Sequence, residues 1–212
     1  MSKLYGFMMN NYTLILLRYL LVFLVLGFSC SSKKSGKKTY QLGQIITPQG
    51  EMIFTISDKV PNHKKNFIKL VKADYFDTLT FNRVIENFVI QGGCPDTPEG
   101  FTDPDYLIAP EFNDSLMHEY GAVGIGRDDN PDKNSAICQF YIVHNKDGLA
   151  RLDGNYMIIG QVIKGLDILE ALGKVATDST DAPIRALTMD VNMLELGRDA
   201  FKKISDSPKI SK

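Results

Sequence analysis

The chain has 212 residues, of which 44% are hydrophobic and 23% are charged, and its formal net charge is −1 at pH 7. This composition fits one globular domain with terminal extensions, and the chain is long enough to bury a core without disulfide bonds. A charge this close to zero argues against nucleic acid as a partner, because nucleic-acid-binding domains carry a basic surface.

Residues 1–29 have the pattern of a targeting signal. Arg18 is followed by a ten-residue apolar run, Tyr19 to Phe28. A membrane-spanning helix needs about 20 apolar residues, whereas a run of this length suits the core of a secretory signal peptide. The alternative is a buried helix of the fold, which the cation before the run argues against. We therefore predict that the protein is exported.

Cys30 follows this run and is itself followed by Ser31 and Ser32. The arrangement resembles a bacterial lipoprotein signal, in which the cysteine is lipidated and becomes the mature N-terminus, although the usual leucine three places before it is missing. The resemblance implies a lipid-anchored protein of the bacterial cell envelope that faces the periplasm or the exterior. Residues 30–39 are rich in serine and lysine, and we predict a flexible tether there.

The body of the chain, residues 40–197, has the pattern of a β-rich domain. Two apolar stretches flank the turn residues 48–50 and predict a hairpin. Pro61 begins a segment in which Phe67, Leu70 and Val71 follow helical spacing, which predicts an amphipathic helix.

Residues 81–93, FNRVIENFVIQGG, form the most informative stretch of the chain. Side chains alternate between the two faces of a strand, so Val89 and Gln91 share a face. Arg83 and Gln91 then supply a permanent cation and an amide beside Phe88 on a mostly apolar wall. This combination suits a pocket that holds an apolar group and directs a hydrogen-bond donor at it.

The second half of the body continues the β-rich pattern. A leucine-rich segment closed by Gly173 predicts a second short helix, and residues 187–196 alternate as a half-buried final strand does. Residues 198–212 are polar and rich in lysine, and we predict fraying or disorder there. Many short strands with two helices fit a closed antiparallel barrel. Short apolar runs between polar loops predict further strands at 122–126, 138–143 and 157–163.

Three patterns that resemble ligand sites fail on their context. The glycine-rich segment 121–126 leads into acidic residues and not into a helix, which argues against a dinucleotide site. The acidic segment 128–134 lacks the glycine and the glutamate of a calcium-binding loop. The three histidines show no metal-ligand spacing. We therefore expect no metal and no cofactor.

Cys94 and Cys138 are the cysteines that remain after Cys30. An envelope compartment permits a disulfide bond between them, but the required geometry cannot be read from sequence. Two buried free thiols are the alternative. Neither cysteine has a histidine nearby in the sequence that marks it as a nucleophile.

Residues 81–93 resemble the core signature of the cyclophilins, the barrel-type peptidyl-prolyl cis–trans isomerases. That signature runs Phe-His-Arg-Val-Ile, two residues, Phe, two residues and Gln-Gly-Gly. The resemblance extends over residues 44–196. It implies a closed eight-stranded antiparallel barrel capped by two helices, and an enzyme that needs no cofactor. The other segments that follow in the family's order are Pro61–Asp77, Tyr106–Phe112, Gly121–Arg127, Gln139–Val143, Leu152–Gly154 and Gly160–Leu169.

The resemblance also implies roles for individual residues. Arg83 matches the residue that donates a hydrogen bond to the amide nitrogen in the twisted transition state, and Phe88 and Gln91 complete the catalytic set. Gln139 is expected to brace Arg83, and the main chain of residues 126–128 is expected to pair with the substrate. The substrate-binding positions implied are Val89, Gly126, Arg127, Asp128, Gln139, Tyr141, Leu152 and Tyr156.

Several positions depart from the family pattern. Arg151 stands where many eukaryotic members have tryptophan, Val89 replaces the commoner methionine, and Tyr156 replaces a histidine. Arg127 and Asp128 replace small or amide residues, which makes the groove beyond the proline more charged than is usual.

These observations predict an isomerase that helps exported proteins to fold, because Xaa-Pro isomerisation is slow enough to limit folding. The alternative is a proline-peptide-binding or chaperone module with weak or no turnover, which the charged loop and Arg151 favour. We disfavour a third hypothesis, a small-ligand carrier of the lipocalin type, because such a carrier has no role for Arg83 and Gln91. The expected partners are proline-containing polypeptides and, through Cys30, the membrane. We expect a monomer that binds no nucleic acid.

Overall fold

The structure is a computed structural model that describes residues 38–94 and 107–206. Three α-helices lie in these residues: α1 Pro61–Val71, α2 Leu166–Gly173 and α3 Arg198–Ser205. A short 3₁₀ helix spans Ala150–Leu152. The strands are β1 Thr39–Thr47, β2 Gly50–Ile56, β3 Phe81–Val84, β4 Val89–Gly92, β5 Leu107–Ile108, β6 Ala122–Ile125, β7 Ser135–Ala136, β8 Phe140–Val143, β9 Met157–Lys164 and β10 Asp190–Gly197.

Eight of the strands form one antiparallel sheet in the order β10–β1–β2–β9–β6–β8–β4–β3, and β5 pairs with β7 in a second small sheet. The predicted hairpin around residues 48–50 is confirmed, since β1 and β2 pair from Leu42 with Thr55 to Thr47 with Gly50. The β-rich class and the antiparallel direction agree with the sequence-based prediction, and the main sheet has the predicted eight strands, to which β5 and β7 are additional.

The prediction that the barrel is closed is wrong, because the sheet is a curled half-barrel. In the described part of the chain the edge strands β3 and β10 do not pair with each other. The two edges meet instead beside these strands, at one isolated bridge between Thr80 and Thr188. β3 has only four residues and follows a series of turns, so too little extended chain is available to continue the ladder. The backbone N–H groups of Thr78, Phe81 and Met189 add hydrogen bonds to the carbonyls of Met189, Leu187 and Leu79.

Helix α1 covers the core of the sheet, as its amphipathic pattern predicts. Phe67 is buried at the centre of an aromatic cluster. Its ring lies 5.3 Å from that of Phe76, 5.7 Å from that of Phe54 and 6.1 Å from that of Phe140. Aromatic pairs at these distances stabilise a core beyond the area they bury. The cluster fixes α1 against the strands that carry the site described below.

The N-terminus of α1 is capped by a residue that lies far away in the sequence. Val60 precedes the helix and has no side chain that can accept a hydrogen bond. The carboxylate of Glu111 accepts instead from the backbone N–H groups of Asn62 and His63, at 3.1 Å each, and from Nδ1 of His63 at 2.7 Å. Burial raises the pKa of Glu111, but its bonds to His63 and Asn62 outweigh burial and hold that pKa below its usual value.

Helix α3 corrects the prediction of fraying or disorder for residues 198–205. The sequence predicted two helices, and α3 is a third. Phe201 of this helix stacks on Tyr40 of β1, with ring centroids 4.1 Å apart and planes 4° from parallel. Tyr40 lies beside this helix because β1 pairs with β10 up to Gly197, so the aromatic contact anchors a segment whose composition is otherwise polar.

The predicted signal peptide, Cys30 and the predicted tether up to residue 37 lie outside the described residues, as do residues 95–106 and 207–212. Among the helices that the structure describes, none is long and apolar enough to cross a membrane.

Candidate active site

One cleft of about 400 Å³ brings together every residue of the predicted site. Its walls come from strands β3, β4 and β8 on one side and from the loops around residues 126–128 and 150–156 on the other. Arg151 also lies in the cleft. The lining residues are Arg83, Phe88, Val89, Gln91, Gly126, Arg127, Asp128, Gln139, Tyr141, Arg151, Leu152 and Tyr156.

Strand pairing places three of these residues in one row. Arg83 of β3 lies opposite Gln91 of β4, and Gln91 lies opposite Tyr141 of β8. Directly opposed residues point to the same face of a sheet, so the cation, the amide and the aromatic ring all face the cleft. The row is a consequence of register, and a shift of one residue in β4 turns Gln91 away from the cleft.

Two glycines make room for side chains of this wall. Gly124 of β6 lies opposite Tyr141, and a Cβ atom there would overlap the Tyr141 ring. A Cβ atom at Gly126 would likewise overlap the side chain of Gln139. Gly126 was predicted to bind substrate, whereas Gly124 carries no such signal in the sequence, because its role depends on a neighbour 17 positions later in the chain.

Arg83 has two polar neighbours. Its Nη1 donates to Oε1 of Gln91 at 3.4 Å, and its Nε lies 3.8 Å from Oδ2 of Asp181. The side chains of Arg83 and Asp181 are 41% and 46% exposed, so solvent screens this ion pair and it contributes little. In the described ranges no hydrogen bond joins Arg83 to Gln139. The brace that was predicted for Gln139 is a contact that Gln91 makes instead.

The loop wall is held by Arg127. Its Nε donates to the carbonyl of Asn155 at 2.9 Å, and its Nη1 donates to the carbonyls of Asp128 and Asn130 at 2.8 and 3.3 Å. The guanidinium also lies over the ring of Tyr156, 4.8 Å from its centroid. Arg127 therefore ties the loop after β6 to the loop before β9 and fixes the width of the cleft.

Beneath the cleft lies a hydrogen-bonded chain that the sequence analysis missed. The hydroxyl of Tyr141 lies 2.7 Å from Nε2 of His118, and Nδ1 of His118 lies 2.6 Å from Oδ1 of Asp153. Burial lowers the pKa of His118 and raises the pKa of Tyr141 well above its usual value. At neutral pH His118 is thus neutral, donates from Nδ1 and accepts from the tyrosine. His118 and Asp153 are 35 positions apart, and one sequence carries no signal for such a pair.

The described sequence and fold match a known family. Residues 42–192 match the cyclophilin type peptidyl-prolyl cis-trans isomerase/CLD family. The chain belongs to this family. The predicted family, its isomerase class and its β-rich fold are therefore confirmed.

Two relatives and one solved structure illustrate how much of this cyclophilin is shared. The peptidyl-prolyl cis-trans isomerase ppi1 of Schizosaccharomyces pombe is 35% identical over 152 residues, which are 68% of this chain and 92% of that protein. A peptidyl-prolyl cis-trans isomerase of Acinetobacter baylyi is 34% identical over 126 residues, 58% of this chain and 66% of that protein. A crystal structure of a Cryptosporidium parvum cyclophilin type isomerase, in the presence of the dipeptide Ala-Pro, has a TM-score of 0.65 and 27% identity. It covers 72% of this chain and 98% of that chain.

A disulfide bond joins Cys94 and Cys138 in this cyclophilin, with Cα atoms 5.1 Å apart. Of the two alternatives that the sequence left open, the structure therefore has the bond and not the free thiols. Cys94 follows the end of β4, and Cys138 directly precedes Gln139 at the entry to β8. The bond links the two strands that carry Gln91 and Tyr141, so it reinforces the wall of the cleft.

The residues of the cleft fit the chemistry of prolyl rotation. The C–N bond of a prolyl amide resists rotation because resonance gives it double-bond character, with a barrier of about 18–20 kcal/mol. In the twisted state the nitrogen regains a lone pair, and a hydrogen bond to that lone pair favours the transition state over both ground states. Phe88, Tyr141 and Leu152 line the cleft with apolar surface, and Arg83 brings a guanidinium group to the same wall.

Proposed function

We propose that this cyclophilin accelerates rotation about Xaa-Pro bonds in exported proteins, and that Arg83 stabilises the transition state. The observation that carries the proposal is the row formed by Arg83, Gln91 and Tyr141 across three neighbouring strands. Gln91 engages Nη1 of Arg83, and no residue within 38–94 or 107–206 accepts from Nη2. A permanent cation with an unused N–H group beside an apolar pocket is the arrangement that the reaction needs.

The remaining residues of the cleft hold the substrate. Val89 and Phe88 lie beside Tyr141 and Leu152, and together they form the surface against which we place the proline ring. Gln91 binds the substrate backbone. In the loop of residues 126–128 the backbone of Gly126 already bonds Gln139 and Ala136, so we assign to Arg127 the main chain that pairs with the substrate as an added strand does.

We also propose that the protein is a bacterial lipoprotein. In this proposal residues 1–29 are the signal peptide, Cys30 carries the lipid, and residues 30–39 form a tether that leaves the domain facing the periplasm or the exterior. The sequence pattern supports it. The bond between Cys94 and Cys138 supports it too, since disulfide bonds persist in oxidising compartments such as the bacterial periplasm.

The isomerase proposal is tested by cis–trans exchange in a short Ala-Pro peptide, measured by NMR with the full chain in detergent. We expect the parent to accelerate exchange and Arg83→Ala to lose about 100-fold, the effect of removing one transition-state donor. Arg185→Ala is the matched control, since Arg185 is exposed and lies outside the cleft. Equal rates for the parent and Arg83→Ala would rule out the assigned role of Arg83.

A second candidate function is a module that binds proline-containing segments without turnover. The ion pair between Arg83 and Asp181 and the position of Arg151 over Phe88 favour it, because both contacts engage groups that the reaction needs. The same experiment separates the two functions. Binding of the peptide by the parent, without any acceleration of exchange, identifies the binding module.

The lipoprotein proposal has its own test. The full chain and a Cys30→Ala variant are expressed in a bacterium that receives labelled palmitate, and the membrane fraction is collected. We expect label and membrane association for the parent and neither for Cys30→Ala. Label on both proteins, or on neither, contradicts the assignment of Cys30.

A further inference from the structure

The cleft carries an excess of positive charge. Among the lining residues Arg83, Arg127 and Arg151 are cations, and Asp128 is the one carboxylate. Asp181 lies outside the lining and faces Arg83. A cleft with an excess of one charge attracts ligands of the opposite charge and raises their local concentration. The rotation of a prolyl bond needs only one of these cations.

Arg127 and Arg151 both lie over aromatic rings, but they differ in their hydrogen bonds. Arg127 uses Nε and Nη1 on three backbone carbonyls and is fixed by them. Arg151 is exposed, and its guanidinium lies 4.9 Å from the centroid of the Phe88 ring. Throughout residues 38–94 and 107–206 no hydrogen bond or ion pair engages it. Of these two arginines, Arg151 is therefore the one whose guanidinium has no hydrogen-bond partner among the described residues.

We propose that Arg151 is a specificity residue that binds the carboxylate of an aspartate or glutamate next to the substrate proline. The inference rests on the proposed isomerase function, since it assigns a substrate class to the same cleft. Phe88 forms part of the surface that holds the proline ring, so a cation over Phe88 lies beside the residue that adjoins the proline. A guanidinium stacked on a ring keeps its N–H groups directed outward in its own plane. Two of them match the two oxygens of a carboxylate.

The carboxylates nearby do not occupy this position. Asp128 lines the cleft, yet no ion pair of 4.0 Å or less joins it to Arg151 within the described residues. Asp181 lies beside Arg83 instead. Since no carboxylate of residues 38–94 or 107–206 pairs with Arg151, we assign its partner to the substrate.

The test compares pairs of peptides that differ only in charge. Each pair carries glutamate or glutamine at one position, either directly before or directly after the proline, and kcat/KM is measured by NMR exchange with the full chain at low ionic strength. At one of the two positions we expect the glutamate peptide to react about two- to fivefold faster, the range of a partly exposed ion pair. The ratio should approach one when 0.5 M salt is added, because salt screens exposed charges.

Variants at position 151 separate the charge from the stacking. Arg151→Trp keeps a planar group over Phe88 without the charge, and the ratio should fall to one. Arg151→Glu should bring the ratio below one. Arg185→Ala removes an exposed cation outside the cleft and should leave the ratio unchanged.

Two results would overturn the proposal: a parent ratio of one at both positions, or a preference for glutamate that survives in Arg151→Trp. In either case a normal rate on the glutamine peptides would show that the isomerase function still holds. If no peptide is accelerated, the isomerase function fails instead. Dissociation constants of the same peptide pairs then test Arg151 without turnover.

Discussion

His63 and His118 are buried histidines that bind a carboxylate in the same way, at two different places in the fold. In both, Nδ1 contacts the carboxylate, at 2.7 Å for Glu111 and 2.6 Å for Asp153. In both, the backbone N–H of the histidine donates to the same carboxylate. Burial lowers the pKa of each ring, and the carboxylate opposes that effect without reversing it.

The two pairs differ at the other ring nitrogen. Nε2 of His63 is buried, and no residue within 38–94 or 107–206 bonds it. Nε2 of His118 accepts from Tyr141, whose ring lines the cleft. The first pair ends in the core beside the capped end of α1, whereas the second reaches the substrate site. The same histidine–carboxylate arrangement thus ends in the core in one place and reaches the cleft in the other, depending on what the second ring nitrogen contacts.

The largest expected effect on stability comes from Glu111→Ala. This change removes the cap of α1 and leaves the buried Nδ1 of His63 without a partner, so we expect unfolding to require about 3 kcal/mol less free energy. Denaturant unfolding measures it. Glu119→Ala is the control, since Glu119 is exposed and its carboxylate makes no hydrogen bond in the described structure. A fall in kcat/KM per folded molecule would contradict the difference between the two pairs, because it would mean that the His63 pair also affects the cleft.

Asp153→Ala should cost somewhat less stability, about 2 kcal/mol, because Asp153 caps no helix. It should also lower kcat/KM several-fold, since the His118 ring no longer holds Tyr141 in place. The control is Asp147→Ala, an exposed aspartate outside the cleft. Loss of stability with an unchanged kcat/KM would make the two pairs equivalent.

The two pairs also show what one sequence can predict. Arg83, Phe88 and Gln91 all lie in the short stretch 81–93, whose resemblance to the cyclophilin signature implied their roles. The partners of His63 and His118 lie 48 and 35 positions away, so the sequence showed only scattered histidines. The bond between Cys94 and Cys138, 44 positions apart, stayed open for the same reason.

The polar composition of residues 198–205 led to the wrong prediction of fraying or disorder. The segment that forms α3 is polar apart from a few positions, and its Phe201 packs on Tyr40, which the pairing of β1 with β10 brings alongside although the two residues lie far apart in the sequence. The missing closure of the sheet has a related origin. Family resemblance implies eight strands, but whether β3 and β10 pair depends on the turns before β3, which periodicity does not describe.

Acidification should weaken both pairs, and the sign follows from the lowered pKa values. The unfolded chain binds protons at the ordinary histidine pKa of 6.5, while the buried rings of His63 and His118 resist them. The buried histidines therefore make their full contribution to the free energy of unfolding above about pH 6.5. That contribution falls as the pH drops through this value. His144, whose pKa burial also lowers, adds an effect of the same sign. The lowered pKa of Glu111 extends the loss below pH 4.5.

Unfolding free energies between pH 8 and pH 5 test this prediction, together with NMR of the ring nitrogens. We expect Nδ1 to carry the proton in His63 and His118, because each donates from Nδ1 to its carboxylate. In His144 we expect the proton on Nε2, since Nδ1 accepts from the backbone N–H of Asn87. Stability that stays constant over this range would show that the rings titrate normally.

The smallest expected effect is also the sharpest, because Tyr141→Phe makes the His118 pair like the His63 pair. The ring stays in the cleft, and only the hydrogen bond between the hydroxyl and Nε2 is lost. A neutral hydrogen bond of this kind contributes about 1 kcal/mol, and we expect a loss of that size in stability. If Nε2 matters for function, kcat/KM falls as well, by less than in Asp153→Ala, since Asp153 still holds the ring of His118. An unchanged kcat/KM would mean that packing alone positions Tyr141, and that the chain beneath the cleft serves stability as Glu111 does.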